Sequence, residues 1–383
     1  MRSDRPRGGR PRAPRTARPL ASRARGLAAI LWILALLAAC GTSATSRGTP
    51  SPASTPSPTA TPSRPVAINP SARTVGMNAE PSMQPWRYIG PSPDSWWDPT
   101  NGQRYIDAEM ALDDRLGVQA VRLEFPWWVM EPARQGTFDW SQADDIVAAA
   151  AAHHLQLTPV IVWTPRWAAP QPWSVPPASA LGAFVTALVT RYHTSIHYWE
   201  MWNEPNSSNY FTGTEAQYVE NVLIPGARAV HHTDPTAKVI AAGTSSPDIA
   251  WINQLYALGA RGSFDIMGFH DYGYPPNDAP AIRAALASHG DAAMPIWLGE
   301  YGVQEQSTND VLQQSLLTHV LTSGGPIAMA QWYTLRDTYR VTCCPTQIVG
   351  TAYWGLVQHD DTTLKTGFTT MQHLIQAGLP TPS

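Results

Sequence analysis

The sequence is poor in cysteine, in clusters of metal-ligating side chains and in long apolar runs. Three of its 383 residues are cysteine, and no group of His, Asp or Glu has the spacing of a metal site. The uncharged run at residues 26–39 is too short to span a bilayer as a helix. No glycine-rich phosphate loop follows the first predicted strand. We therefore expect neither a metalloprotein nor a nucleotide-binding open sheet.

The first 39 residues have the pattern of a secretory signal. They contain nine Arg, one Asp and no Lys, and the basic region precedes the apolar run. The run ends in LAAC at residues 37–40, which resembles a bacterial lipobox, in which cleavage before Cys40 is followed by lipidation of that residue. We therefore expect an extracytoplasmic protein, lipid-anchored to a bacterial cell membrane or secreted. An ordinary signal peptide or a membrane anchor is the alternative interpretation.

Residues 41–69 follow as a linker rich in Ser, Thr and Pro. They lack apolar periodicity, so we expect a disordered, proline-stiffened tether. The leader contributes +8 to the net charge of −3, so the chain that follows it carries −11. Such an acidic surface argues against nucleic acid or an anionic membrane as a partner, and it fits a neutral or cationic substrate.

The other two cysteines, Cys343 and Cys344, are adjacent. Their α-carbons would lie about 3.8 Å apart across a trans peptide, below the usual disulfide range of about 4.4 to 6.8 Å. In an oxidising compartment, a strained vicinal disulfide and two free thiols both stay open as interpretations.

Short apolar runs alternate with amphipathic segments along residues 70–383. One helical segment places apolar residues at positions 181, 184, 185, 188, 189 and 192, a single face of a helix. The eight predicted strands lie at 75–78, 120–125, 158–163, 197–202, 238–242, 264–270, 295–298 and 326–332. Eight βα units favour an α/β fold of the closed (β/α)8 type, as a single catalytic domain, over a doubly wound sheet.

Two of the predicted strands lead into a glutamate. HYWEMWNEPN at 197–206 brings Asn203 and Glu204 to the end of the fourth strand, and PIWLGEYG at 295–302 brings Glu300 to the end of the seventh. The carboxyl ends of the strands are where (β/α)8 barrels carry their chemistry. Two carboxylates facing each other there suit glycoside hydrolysis, with retention at a separation of about 5 to 5.5 Å and inversion at about 6.5 to 9.5 Å.

These two motifs and four further segments resemble the clan A glycoside hydrolases. WNEPN at 202–206 is similar to the acid/base motif of the clan, and IWLGEYG at 296–302 to its nucleophile motif. VRLEFPWWVMEP at 121–132, FHDYGYP at 269–275, AQWYT at 330–334 and YWGLVQHDDTTLKTGFTTM at 353–371 agree in order. EPARQGTFDWSQADDIV at 131–147 and WTPRWAAP at 163–170 are most similar to family 39, which includes bacterial exopolysaccharide hydrolases and β-xylosidases. The cellulase-like family 5 comes next.

The resemblance implies a role for each residue at a matching position. Glu204 would be the acid/base, Glu300 the nucleophile, and Asn203 a ligand of the sugar 2-hydroxyl. Arg122 would face Glu300 and keep it ionised. The remaining matches are His270 and Tyr272, which would orient the nucleophile and the sugar, and Trp332 as the floor beneath the sugar. Trp163 or Trp167, near a predicted strand end, is a further candidate because aromatic faces suit the apolar faces of sugar rings.

Two features leave alternatives open. Gly299 precedes the predicted nucleophile where many relatives have Thr or Ser, so a supporting hydroxyl is missing. Arg122 is also a candidate for a structural ion pair inside the barrel, with Glu200 or with Glu124, which shares its strand face. In that interpretation Glu200 is only a buried, paired residue.

The predicted function is a monomeric retaining glycosidase without a cofactor, acting on an extracellular polysaccharide or oligosaccharide. Its membrane contact would be through the lipid anchor. A transglycosylase with the same two glutamates, and a non-catalytic sugar-binding lipoprotein, are the alternatives.

Overall fold

The barrel predicted from the sequence is present in the structure. The computed structural model describes residues 73–79, 102–337, 353–358, 360 and 362–382, with the backbone alone for 102–105. Eight parallel strands pair in sequence order and close into a barrel, β1 to β8. None of the helices described there is long and apolar enough to cross a bilayer. The predicted signal at 1–39, Cys40, the linker at 41–69, and Cys343 and Cys344 lie outside the described residues.

Helices follow the strands around the barrel. The strands are β1 (Thr74–Asn78), β2 (Ala120–Pro126), β3 (Gln156–Val162), β4 (Tyr198–Met201), β5 (Lys238–Thr244), β6 (Ile266–His270), β7 (Ile296–Tyr301) and β8 (Ile327–Trp332). The helices are α1 (Gly102–Leu116), α2 (Trp127–Met130), α3 (Ser141–Ala152), α4 (Ala178–Tyr192), α5 (Glu215–Tyr218), α6 (Ile224–Thr233), α7 (Ile249–Ala257), α8 (Ala279–Ser288), α9 (Val311–Thr322) and α10 (Thr366–Ala377). A π-helical turn, Val219–Leu223, joins α5 to α6.

Apolar patterning explains why these elements form. The predicted apolar face of α4 is buried along its whole length. All seven residues of β3 are buried, as expected for a parallel strand covered on both faces. The main core lies between the sheet and the helices. A second apolar cluster comes mainly from residues near the starts of the strands and contains Ala120, Ile240, Ile266, Trp297, Ala328 and Met329.

Polar residues lie further along the strands. Gln331 in β8 donates to the Thr158 hydroxyl in β3 across 3.1 Å. Gly76 in β1 leaves room for this amide, since a Cβ there would lie 2.8 Å from Gln331 Cγ. Beyond this layer come Arg122 and Glu200, both buried. The barrel interior therefore changes from apolar to charged towards the carboxyl ends of the strands.

Five of the eight predicted strand ends differ from the observed ones by one to three residues, and β2 and β5 run one and two residues further than predicted. Two strands end one residue early, because Trp163 and Trp202 take up left-handed backbone conformations with φ of 68° and 82°. Glu204 also has a positive φ, of 44°. By contrast, β7 continues to Tyr301, so Glu300 lies within the strand. Strained backbone of this kind concentrates at functional sites.

A buried ion pair ties the last segment of the chain to the barrel. Lys365 Nζ lies 2.9 Å from Asp337 Oδ1 and donates to the Glu305 carbonyl at 2.8 Å. At most 1% of either charged side chain is exposed. The Gly355 amide donates to the same Asp337 oxygen at 2.9 Å. The segment around Gly355 and the one that follows β8 are therefore held together by one carboxylate.

We expect Lys365→Ala to lower the free energy of unfolding by about 3–5 kcal/mol, because the buried carboxylate of Asp337 would lose its ion pair with Lys365. The chain's other lysine is the matched control. Lys238 is 49% exposed and pairs with Asp265 at 3.2 Å, so Lys238→Ala should cost about 0–1 kcal/mol. Urea unfolding of both variants measures the difference. Equal losses would contradict this assignment.

Candidate active site

Arg122 in β2 is the centre of the polar network inside the barrel. Its Nε and Nη2 donate to the two oxygens of Glu200 at 2.7 and 3.1 Å. Nη1 donates to Glu300 Oε1 at 2.6 Å and to Asn78 Oδ1 at 2.9 Å, and Nη2 also donates to Asn203 Oδ1 at 2.9 Å. Burial alone would lower the pKa of Arg122, but Glu200 and Glu300 raise it above its ordinary value. Arg122 is therefore both the structural partner of Glu200 and the cation beside the predicted nucleophile.

Glu300 is held in its ionised form. Its Oε1 accepts from Arg122, and its Oε2 accepts from the Tyr272 hydroxyl at 2.7 Å. Burial would raise the pKa of Glu300, but His270, Arg122 and the Tyr272 hydrogen bond together lower it below its ordinary value. The residue Tyr272 is 37% exposed overall, whereas burial of its hydroxyl and the charge of Glu300 raise the pKa of Tyr272.

Glu204 lies just beyond β4, and only 12% of its side chain is exposed. Its amide donates to the Gly243 carbonyl at 3.0 Å, which joins this turn to β5. His270 at the end of β6 lies between the two glutamates, with Nδ1 2.9 Å from Glu204 Oε1 and 3.5 Å from Glu300 Oε2. The structure thus brings together the predicted acid/base, the predicted nucleophile and the predicted supporting histidine.

Two amides complete this layer, and the sequence analysis missed one of them. Asn203 accepts from Arg122 through Oδ1, so its amide N–H groups are the donors that it can present to a ligand. Asn78 at the end of β1 also accepts from Arg122, and its Nδ2 donates to the Gly299 carbonyl at 2.8 Å. A polar residue that ends an apolar strand is the signal that could have identified Asn78.

The missing hydroxyl before the nucleophile has a structural counterpart. A Cβ on Gly299 would lie 3.3 Å from the His270 ring, which is tighter than an ordinary van der Waals contact. A Thr or Ser side chain at position 299 would therefore border His270, which contacts both glutamates.

Trp332 does not form a floor for a sugar, which corrects the prediction. The residue is fully buried, its indole N–H donates to the Trp354 carbonyl at 3.1 Å, and its ring packs edge-on against Tyr301. It therefore presents no ring face to a ligand. The half-buried neighbour Tyr333 lies at the mouth of the barrel, where its ring contacts Tyr272 at a centroid distance of 6.3 Å.

Trp163 and Trp167 follow β3, and each donates its indole N–H to another residue of the protein. Trp163 is 5% exposed, and its Nε1 donates to Glu124 Oε2 at 2.6 Å. Its ring lies 5.9 Å from that of Tyr210. Trp167 is half-buried and donates to the Glu131 carbonyl at 2.7 Å. Trp163 therefore offers little ring surface for stacking. Glu124 accepts from Trp163, whereas the N–H groups of Arg122 donate to Glu200, Glu300, Asn78 and Asn203.

Three side chains of metal-ligand type meet in this site. One donor atom each of Glu204, His270 and Glu300 lies within 4.8 Å of the others. However, both oxygens of Glu300 already accept hydrogen bonds, and the Arg122 guanidinium lies 2.6 Å from one of them. A divalent cation would meet like charge there, so the cluster is better suited to moving protons than to holding a metal.

Comparison with known proteins gives matches of two kinds. The family model described as Glycosyl hydrolase family 10 matches residues 112–242, about a third of the chain. No curated relative matches the sequence at a significant level. Among solved structures, a family 39 enzyme from Xanthomonas axonopodis pv. citri has a TM-score of 0.60 at 18% identity, over 85% of this chain and 70% of that one.

Two further solved structures are similar over most of both chains. A family 39 β-xylosidase from Caulobacter crescentus has a TM-score of 0.61 at 17% identity, over 83% of this chain and 74% of that one. A family 5, subfamily 18 enzyme from Streptomyces cattleya, in complex with GlcNAc, has a TM-score of 0.61 at 16% identity, over 82% and 83%. At such identities the likeness to solved structures concerns the fold.

The closed parallel barrel with glutamates at the ends of β4 and β7 resembles the architecture of the clan A glycoside hydrolases. The matched family 10 model belongs to the same clan. The fold of this barrel is similar to that of the family 39 enzymes and, to the same degree, to that of the family 5 enzyme.

We expect Tyr272→Phe to raise the pKa of Glu300, because the carboxylate loses a hydrogen bond that favours its charged form. Since the pKa of Glu300 is lowered on folding, its contribution to stability is complete above the pKa of the unfolded chain. That contribution is lost as the pH falls through the pKa of the folded state. The variant should therefore be less stable than wild type by about 1.5–3 kcal/mol near neutral pH, with a gap that closes in acid.

Urea unfolding between pH 3 and 7 measures this gap. Tyr274→Phe is the matched control, because Tyr274 is 52% exposed and two residues away. A gap independent of pH, or the same gap in the control, would show that the Tyr272 hydroxyl does not stabilise the ionised Glu300.

Proposed function

We propose that the protein is a retaining glycoside hydrolase that cleaves a polysaccharide or oligosaccharide by double displacement. One observation carries the proposal: carboxylate oxygens of Glu204 and Glu300 lie within 4.8 Å of each other. An inverting enzyme needs about 6.5–9.5 Å between its carboxyl groups to admit water, whereas a retaining one needs about 5–5.5 Å. The short separation supports retention.

The surroundings of the two glutamates support different roles for them. Glu300 contacts a guanidinium and a phenol, and its lowered pKa suits a nucleophile. Glu204 contacts the imidazole of His270 and the backbone of β5, and among the described residues it makes no hydrogen bond to Arg122 or Tyr272. A carboxyl group without a neighbouring guanidinium is the better proton donor of the pair.

In the first step, Glu300 attacks the anomeric carbon while Glu204 gives its proton to the glycosidic oxygen. The bond between that carbon and the leaving oxygen breaks, and a glycosyl ester forms on Glu300. In the second step, Glu204 accepts a proton from water, whose oxygen attacks the anomeric carbon and releases Glu300. The amide N–H groups of Asn203 would donate to the sugar beside the reacting carbon, a contact that gains strength in the transition state.

An aromatic wall supports a sugar as the substrate. Tyr272, Tyr333 and Trp354 contact one another, with ring centroids 5.3 to 6.3 Å apart. Gly302 makes room for two of them, since a Cβ there would lie 3.3 Å from the Trp354 ring and 2.5 Å from the Tyr333 carbonyl. Aromatic faces bind the apolar faces of sugar rings. The acidic chain after the leader favours a neutral or cationic glycan.

The leader and Cys40 support an extracytoplasmic location with a lipid anchor. A tether of Ser, Thr and Pro between the lipid and residue 70 would hold the barrel away from the membrane surface. We propose that the enzyme acts there as a monomer.

We expect Glu300→Ala to reduce oligosaccharide release from glycans to background, because no group remains to form the glycosyl ester. Glu204→Ala should lower kcat/KM by about 10²–10⁴-fold for aryl glycosides with poor leaving groups, and much less for good ones, which depart without a proton. NMR of the first product should show the anomeric configuration of the substrate. Glu220→Ala, an exposed glutamate on the π-helical turn, is the matched control.

Mass spectrometry of products from a panel of bacterial and plant polysaccharides, with and without an added acceptor sugar, identifies the reaction. Elongated products would favour a transglycosylase. Binding without turnover in wild type and Glu300→Ala alike would contradict catalysis and indicate a sugar-binding protein.

We expect Trp354→Ala to raise KM about 3–10-fold with little change in kcat, because the loss of one aromatic contact costs about 1 kcal/mol of binding. Steady-state kinetics with an oligosaccharide substrate measures both constants. Trp140→Ala is the control, since Trp140 stacks on Phe138 and Phe184 on the helical side of the barrel. An unchanged KM in Trp354→Ala would remove this ring from the binding site.

A further inference from the structure

A single glycine in β5 contacts three residues of the site. The Gly243 amide donates to Glu200 Oε1 at 3.1 Å, and its carbonyl accepts from the Glu204 amide at 3.0 Å. Its Cα faces the imidazole of His270. The pairing of β5 with β6 shifts register between Ala241 and Thr244, which places an irregularity at this glycine. Gly243 is therefore the point where β5 meets the acid/base, the histidine and the partner of the central arginine.

The reason for glycine here is space and not backbone conformation. Gly243 does not have a positive φ, so alanine could adopt its backbone geometry. A Cβ at this position, however, would lie 2.3 Å from His270 Nε2 and 2.5 Å from Cδ2, whereas carbon atoms in contact lie about 3.5–4.0 Å apart. Gly299 is also close to the ring, with a Cβ position 3.3 Å away. The fully buried imidazole therefore occupies a slot between two glycines.

The slot determines which nitrogen of His270 faces the carboxylates. Nε2 is buried and has no hydrogen-bond partner among the described residues, while Nδ1 lies within 3.5 Å of both glutamates. A buried N–H without an acceptor is costly, so the hydrogen-bond network assigns an N–H to Nδ1, where acceptors are present. This N–H then points to the oxygens of Glu204 and Glu300. A shift of the ring would change the contacts of both reacting groups at once.

We propose that Gly243 is a positioning residue for the double displacement, because its missing side chain allows His270 to place Nδ1 between Glu204 and Glu300. The expected effect of Gly243 on the reaction rate rests on the proposed function. Its effect on the position of His270 rests on packing alone. Alanine at this position keeps both backbone hydrogen bonds and adds only the Cβ. Gly243→Ala therefore isolates the contact with the ring.

A double-mutant cycle of Gly243→Ala and His270→Ala tests the proposal. With aryl glycosides that the wild type cleaves, Gly243→Ala should lower kcat/KM about 10–100-fold for poor leaving groups, as expected for a displacement of about 1 Å, and less for good ones. In the His270→Ala background the same change should cost less than about 3-fold, because the Cβ would occupy the space that the ring has left. A loss of equal size in both backgrounds, or none in either, would overturn the proposal.

Gly226→Ala is the matched control for a general packing defect. A Cβ there would lie 2.4 Å from the Met201 sulfur, at the contact between α6 and β4 and away from His270. It should lower the melting temperature without the dependence on leaving group. If it reproduces that dependence, Gly243 has no specific positioning role.

A structural measurement separates failure of this inference from failure of the proposed function. The crystal structure of Gly243→Ala should show Nδ1 of His270 displaced from both glutamates. Wild-type protein that cleaves no glycan would refute the enzyme, and the displaced ring would still establish the packing role of Gly243. An undisplaced ring would refute that role even in an active enzyme.

Discussion

The site depends on one buried guanidinium. The five N–H groups of Arg122 are all used, by two oxygens of Glu200 and one oxygen each of Asn78, Asn203 and Glu300. These partners come from β1, β4, β7 and the turn after β4. Because a planar fork of donors permits few arrangements of acceptors, Arg122 fixes these strand ends relative to one another.

Charge balance around Arg122 is compatible with the nucleophile role proposed for Glu300. The buried cluster holds one guanidinium and two carboxylates. Glu200 takes the bidentate contact and a further hydrogen bond from the Gly243 amide, so it carries the structural pairing. Glu300 receives one N–H of Arg122 and the Tyr272 hydroxyl. It is ionised by these contacts without being locked in a bidentate pair, which leaves it lone pairs for attack.

The sequence was sufficient for the barrel and for the position of the two glutamates at the carboxyl ends of its strands, because both depend on short-range patterns. Eight apolar runs predict the eight strands, and a glutamate that follows such a run or lies within it can be identified from the sequence alone. Trp332 was assigned by its match to the strand-eight Trp of the clan. Its neighbour Gln331 points into the barrel and donates to Thr158, so the alternation along β8 turns the Trp332 ring outward into the buried core. Tyr333 lies one residue further, at the half-buried position.

Asn78 and Gly243 were missed for a different physical reason. Neither belongs to a motif with chemistry of its own, and each matters through residues distant in sequence. Asn78 contacts a guanidinium 44 positions away, and Gly243 borders an imidazole 27 positions away. Closure of the barrel creates these contacts, and hydrophobic periodicity carries no information about them. Positive φ at Trp163, Trp202 and Glu204 was unpredictable for the same reason, since it requires tertiary contacts to offset the strain.

The closing segment links the stability of the domain to the shape of the proposed sugar site. Asp337 accepts from both Lys365 and the Gly355 amide, and Gly355 directly follows Trp354 of the aromatic wall. The Trp354 carbonyl in turn accepts from Trp332 at the end of β8. None of these contacts involves Arg122, Glu204 or Glu300. Trp354 is therefore held by a different set of interactions from Glu204 and Glu300, so substitutions of this ring can change which sugar binds while the network around Arg122 is kept. Tyr272 belongs both to the wall and to the contacts of Glu300.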